Sequence, residues 1–290
     1  MKKYLSLVKF SHTIFALPFA LLGLFLAFHY MDIRGLELDK PWWQSLILVL
    51  ICMVTARNAA MGFNRYIDRD IDAQNERTKT REIPAGVISP NKARLFVIVN
   101  VLLFIGATWF INRLCFFLSP VALAVILGYS VTKRFTALCH LILGLGLALA
   151  PVGAFIAVTG AFEWPPVILG IAVLTWVSGF DIIYALQDDQ FDKSLKLHSI
   201  PVALGRERSL MVSNLLHVVS GSMIVLFGYL IEGGWLFGLG ALVFLGLLLY
   251  QHLIVSSKDL SRVNLAFFTT NGIASVIFGA CSIAELLMGI

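Results

Sequence analysis

Apolar runs long enough to cross a bilayer recur nine times along this chain, at about 12–31, 43–64, 93–112, 116–131, 137–160, 165–187, 209–231, 234–254 and 264–288. About 20 such residues span the roughly 30 Å of a membrane's hydrocarbon layer as a helix. A backbone inside that layer must satisfy its own hydrogen bonds, which leaves helices or closed barrels. Runs of this length predict helices, so the expected fold is all-α, a polytopic membrane protein with about nine transmembrane helices. The charged fraction agrees, at 13% where soluble chains average about 25%. No linker, low-complexity segment or soluble domain interrupts the pattern, and residues 1–290 read as a single membrane domain. The first run follows MKKYLSLVK, but no convincing small-x-small cleavage pattern accompanies it, and it is read as a retained helix.

Cytoplasmic loops collect Lys and Arg. Of the 22 basic residues, all but Arg34, Lys40 and Arg113 fall on one side of this topology. That side includes Lys2, Lys3 and Lys9, the connection after the second run, and the loops holding Lys133, Arg134, Lys193, Lys196, Arg206, Arg208, Lys258 and Arg262. The expected orientation puts the N-terminus in the cytoplasm and the C-terminus outside. The net charge of +5 is then mostly a topology signal, with some attraction to anionic lipid headgroups, and indicates no nucleic-acid partner. Cys52, Cys115, Cys139 and Cys281 lie in or beside apolar runs without a C-x-x-C pair, as small buried hydrophobes do.

Two helix ends break the apolar pattern in the same way. NRYIDRDID runs from Asn64 to Asp72 and YALQDDQFD from Tyr184 to Asp192, so that Asn64, Asp68 and Asp72 match Tyr184, Asp188 and Asp192 at an offset of 120. Ile83-Pro84 and Ile200-Pro201 follow at a similar offset, which suggests an internal repeat. On a helix, Asn64, Asp68 and Asp72 share one face, and Arg57 extends that stripe deeper into the membrane. Asp181, Tyr184, Asp188 and Asp192 form the second stripe. Ionisable groups at such depth face a bundle interior and a partner; Arg57 and Asp181, the two deepest, are candidates to pair with each other.

Asp68, Asp72, Asp188 and Asp192 repel one another if they converge, unless cations lie between them. An all-oxygen ligand set suits Mg²⁺, which is commonly held by a few carboxylates plus substrate phosphates. Both stripes lead into basic loops, with Arg77, Lys79 and Arg81 after the first and Lys193 and Lys196 after the second. Four carboxylates balance two Mg²⁺, leaving a diphosphate of roughly −3 for the Arg and Lys side chains. Helix ends carry charge merely by reaching water, but the same spacing twice, each with a basic loop behind it, weighs against that explanation. Asp70 and Asp189 point off the stripes and are read as solvated. His12, His140 and His198 are read as structural, and Phe15 and Phe19 as core packing.

The stretch N-x-x-x-D-x-x-x-D at Asn64 to Asp72, continued by NERTKTREIPAG, resembles the first signature of the UbiA superfamily of intramembrane prenyltransferases. DIIYALQDDQFD at 181–192 is similar to the second, YSVTKRFT at 129–136 to the loop after the fourth helix, and Arg57 to an arginine one heptad before the Asn. RTKTRE and YALQDDQFD look closest to the 4-hydroxybenzoate polyprenyltransferase branch, including its menaquinone-pathway relatives. Arg65-Tyr66 departs from the Asp-Tyr of many members, which touches metal or substrate preference.

The resemblance implies a bundle around a central cavity, capped on the cytoplasmic side by two loops, in a bacterial inner membrane. The partners it implies are a polyprenyl diphosphate, a small aromatic acid acceptor and membrane lipid. It implies Mg²⁺ at Asn64, Asp68, Asp72, Asp188 and Asp192, and diphosphate on Arg77, Arg81, Lys193, Lys133 and Lys196. Arg57 and Asp181 would orient the acceptor, Asp181 toward the phenol or as base, and Tyr184 would flank an allylic cation. A transporter with an acidic cation site and a CDP-alcohol phosphotransferase stay open as alternatives; the first lacks midplane broken helices and the second its D-G-x-x-A-R signature.

Overall fold

Each apolar run forms one helix. In the computed structural model, which describes Leu7 and residues 15–289, these are α1 Leu17–Ile33, α2 Trp42–Ile67, α3 Pro90–Ile111, α4 Arg113–Thr132, α5 Cys139–Thr159, α6 Trp164–Ala185, α7 Arg206–Leu230, α8 Trp235–Ile254 and α9 Leu265–Met288. Lys2, Lys3, Lys9, His12 and the predicted start of the first span lie outside the described residues. There is no strand among the described residues. Proline in the first turn sets the starts of α1, α3 and α6, where a missing N–H costs nothing. Asn112 caps α4 by accepting from the Cys115 N–H at 2.8 Å. The second span runs to Ile67 rather than 64, because the polar residues that end an apolar count do not end a helix.

The helix that carries the second motif lies deepest in the bundle. Two thirds of the membrane window of α6 is buried, more than for any other long span. It is flanked by α5 and α7, which approach closely through glycines. A Cβ on Gly144 of α5 would lie 2.3 Å from the Leu174 carbonyl oxygen, and one on Gly179 of α6 would lie 2.4 Å from the His217 ring. Aromatic rings fill the centre: Phe19 sits 5.2 Å from Trp176, and Trp176 5.1 Å from Phe180, centroid to centroid. Phe15 and Phe19, 5% and 1% exposed, are core residues, as read from the sequence.

The last span opens with a π-helical turn, Leu265–Thr270, before becoming α-helical at Asn271. Phe267 and Asn271, at the turn and just after it, both face inward. Phe267 stacks on Tyr184 with centroids 4.1 Å apart, while the Asn271 side-chain oxygen accepts from Trp176 Nε1 at 2.9 Å and Gln251 Nε2 at 2.7 Å.

Both motifs and both long connections lie at one end of the bundle. Residues 73–89 form a series of turns, and the second connection contains two short helices, Asp189–Ser194 and Ile200–Leu204. Leu7, Ile83, Ile88 and Ala93 pack together beneath the first.

Candidate active site

The two motifs repeat in backbone as well as in sequence. The long helix of the first motif ends at Ile67 and breaks at Asp68, and that of the second ends at Ala185 and turns over 186–188. The central aspartates take similar φ/ψ of −91°/5° at Asp68 and −108°/5° at Asp188. Each aspartate then starts a short helix, Arg69–Asp72 or Asp189–Ser194. The first backbone bonds match too: Asp72 N–H donates to Asp68 O at 2.7 Å and Asp192 N–H to Asp188 O at 2.8 Å. The aspartates are therefore set by a helix–break–helix device rather than by one continuous helix, and the i+4 relation survives the break.

Four cations from two connections hold three of these carboxylates. Asp68, 2% exposed, is salt-bridged by Lys133 at 2.6 Å and Arg134 at 3.1 Å, both from the connection between α4 and α5. Asn64 Nδ2 donates to the same carboxylate at 3.3 Å. Asp72 accepts from Arg81 at 2.7 Å. Arg77 crosses from the first connection to the second motif, pairing with Asp188 and donating to the Tyr184 hydroxyl at 2.9 Å. Asn75 adds a longer bond to Asp188 at 3.4 Å. Asp192 forms no ion pair among the described residues; burial pushes its carboxyl up to about 6, Lys133 opposing and Asp188 reinforcing the shift.

The structure thus brings Asn64, Asp68, Asp72, Asp188 and Asp192 together with Arg77, Arg81, Lys133 and Tyr184 at one end of the bundle. Lys193 and Lys196 are exposed on the second connection, Lys196 at a φ of 55°, and neither is ion-paired among the described residues. Arg57 is half-buried on α2, within electrostatic reach of Tyr129.

Three sequence expectations are corrected. The Asp181 carboxylate is engaged not by Arg57 but by His140, whose Nδ1 lies 2.7 Å from Oδ2. Spacing along α2 and α6 aligns residues on a face without revealing which third helix reaches it, and α5 does so through the close contact at Gly144. Asp189 is not simply solvated: Arg206 bonds it at 2.6 and 3.0 Å and holds its carboxyl below the usual range. Arg134, counted only toward topology, sits on Asp68. His140 carried a signal that went unused, an ionisable group within a span, the same ground that singled out Arg57 and Asp181.

The donor set fits a hard divalent cation. It offers oxygens only, and Asp72 Oδ2 is buried without a hydrogen-bond partner. Among the described residues no three His, Cys, Asp or Glu side chains form a ready-made metal cluster, and the carboxylates face the Arg and Lys instead. A groove of about 530 Å³ between α7 and α8, lined by His217 and His252 among others, includes none of these residues.

A membrane-embedded helix bundle with paired acidic motifs under a basic cap defines an intramembrane transferase class. Residues 16–273 match the UbiA prenyltransferase family, and the chain belongs to it. It is similar to the 4-hydroxybenzoate octaprenyltransferase of Nitrosospira multiformis, 32% identical over 82% of each chain, and to that of Shewanella pealeana, 27% identical over 86% of each. Its fold is similar to that of a UbiA homologue from Aeropyrum pernix, with a TM-score of 0.83 and 29% identity over 94% of this chain and 98% of the other. It also resembles an Archaeoglobus fulgidus homologue solved with DMAPP and Mg²⁺, with a TM-score of 0.74 and 23% identity over 98% and 99% of the two chains.

Proposed function

We propose that this protein transfers a polyprenyl group from a polyprenyl diphosphate to a ring carbon of an aromatic acid, 4-hydroxybenzoate or a hydroxynaphthoate, in quinone biosynthesis. The reaction would take place within one membrane domain in a bacterial inner membrane, with the site facing the cytoplasm. The observation that carries this reading is the seating of Arg77, Arg81, Lys133 and Arg134 on Asp68, Asp72 and Asp188, with Arg77 joining the first connection to the second motif. Three of the four carboxylates that would hold a metal, Asp68, Asp72 and Asp188, are each paired with a cation suited to a diphosphate. With the donor bound, the guanidinium and ammonium groups would turn to phosphate oxygens, leaving the carboxylates as the groups that would hold metal.

Asn64, Asp68, Asp72, Asp188 and Asp192 would hold Mg²⁺, as an all-oxygen set does. Bound there, it would stabilise negative charge on the diphosphate as the allylic C–O bond breaks. Arg77, Arg81, Lys133 and Arg134 bind the same leaving group, with Lys193 and Lys196 available from the second connection. The electron pair of the C–O bond leaves with the diphosphate. The allylic carbon takes a pair from the acceptor ring, and a base, Asp181 in this reading, takes the ring carbon's proton. Arg57 and Asp181 lie below the acidic layer and orient the acceptor, Arg57 toward its carboxylate and Asp181 toward its hydroxyl. Tyr184, stacked on Phe267, presents an aromatic wall beside the developing cation. The surrounding apolar helices keep water from that carbon.

Purified protein with Mg²⁺, a long-chain polyprenyl diphosphate and a panel of hydroxylated aromatic acids tests the reading. A prenylated product by mass spectrometry, lost with EDTA, is expected. Metal-dependent diphosphate release without any prenylated acid would overturn the acceptor class.

A further inference from the structure

We propose that His140 is a positioning residue that links the seating of the second connection to the orientation of Asp181. This rests on the proposed prenyl transfer, in which Asp181 faces the aromatic acceptor. His140 is 3% exposed in the first turn of α5, and both its ring nitrogens are engaged. Nε2 lies 3.4 Å from the backbone nitrogen of Ile200. A backbone N–H can only donate, so Nε2 is the unprotonated nitrogen and the ring proton sits on Nδ1. Nδ1–H therefore donates to Asp181 Oδ2 at 2.7 Å.

This assignment separates the roles of the pair. No ring nitrogen of His140 is left to meet a substrate. Asp181, 22% exposed, has a second oxygen outside this bond, and that oxygen is the one aimed by the histidine. A donor locked onto one carboxylate oxygen fixes the plane of the other, as second partners do for histidines at metal sites.

Ile200 begins the short helix Ile200–Leu204, and the same stretch is held by His198 N–H donating to Lys133 O at 2.7 Å. Lys133 in turn salt-bridges Asp68 at 2.6 Å. One segment of eight residues, 133–140, thus touches an aspartate of the first acidic motif, the second connection and the deep aspartate of the second motif. His140 is the member that reaches Asp181.

The two bonds can be removed one at a time. An Asn side chain places its amide near Nδ1 and keeps the donor to Asp181; a Gln reaches the Nε2 position and keeps the acceptor for Ile200. The test measures steady-state prenyl transfer and amide hydrogen exchange of residues 198–202 in His140→Asn, His140→Gln and His140→Ala. In the Ala variant acceptor kcat/KM is expected to fall about 30-fold, as a misplaced reacting partner costs up to roughly 100-fold. Donor KM and the Mg²⁺ requirement should stay within about twofold. The Asn variant should recover most of the acceptor kcat/KM. Exchange at 198–202 should quicken in Ala and Asn but not in Gln.

Equal acceptor kcat/KM in Asn and Ala, a donor KM that moves as far as the acceptor term, or unchanged exchange in Ala would each overturn the link. If folded wild-type protein prenylates no hydroxylated aromatic acid, the proposed function falls instead. Exchange across the three variants then decides the His140–Ile200 contact by itself.

Discussion

Replacing Asp68 by Asn removes one oxygen charge at the point where the first motif is most tightly held. The carboxylate is 2% exposed and bonded by Lys133 at 2.6 Å, Arg134 at 3.1 Å and Asn64 at 3.3 Å. Stranding a fully buried cation costs about 3–5 kcal/mol. Lys133 and Arg134 are 29% and 39% exposed, however, and can turn to water, so the expected loss of stability is only about 1–2 kcal/mol. The loss of activity should be larger. Stabilisation of the leaving group through a metal site is worth several kcal/mol, and about 4 kcal/mol is roughly a thousandfold in rate. Product formation measured by mass spectrometry at saturating donor and acceptor, across a Mg²⁺ titration, separates the two effects when paired with a thermal unfolding curve. Asp68→Asn that unfolds near the wild-type temperature yet retains more than about a tenth of wild-type turnover, a deficit below about 1.4 kcal/mol, would refute the metal assignment.

Four further outcomes are expected. The Asp192 carboxyl, raised by burial to about 6, must lose its proton to bind metal, so apparent Mg²⁺ affinity should weaken as pH falls through about 6, and Asp192→Asn should flatten that slope in a calorimetric titration. Between the ordinary carboxylate range and about 6, the metal-free folded state holds a proton the unfolded chain has lost, so metal-free stability should fall as pH rises through that window. Gly144→Ala should destabilise by about 1–3 kcal/mol, because its Cβ would meet the Leu174 carbonyl oxygen at 2.3 Å, whereas Gly146→Ala, with nothing nearer than 3.9 Å, should melt like wild type. Arg206→Ala breaks the Asp189 pair at the rim of the site and should cost no more than about 1 kcal/mol, with turnover within about twofold.

The spans and the acidic motifs were legible in the sequence because each is specified locally. Hydrocarbon demands about 20 apolar residues in succession, so the nine long helices among the described residues fall close to the nine runs. The i+4 spacing of Asn64, Asp68 and Asp72 survived even where the helix breaks, because the Asp72 to Asp68 backbone bond continues across it. What could not be read was which distant segment supplies a partner. Lys133 and Arg134 meet Asp68 across 65 residues or more, and His140 meets Asp181 from another helix. Charge counting grouped Lys133 and Arg134 with the two motifs, but only packing at positions such as Gly144 brings distant segments to particular carboxylates. The π-helical turn in α9 was equally hidden, since an apolar run does not tell a π-helical turn from an α-helical one.

That turn makes α9 sensitive to length in a way the other spans are not. A further residue inserted within 265–270, where the turn already holds one more than an α-helix would, has no second bulge to enter and would rotate one part of the span relative to the other by about 100°. If the rest of α9 kept its place, Phe267 would swing away from Tyr184; if the first turn kept its place, Asn271 would leave Trp176 and Gln251. An insertion in the connection at 255–264 would change neither. Variation in chain length among relatives with this architecture is therefore expected to collect before Leu265 and to spare the six residues that follow.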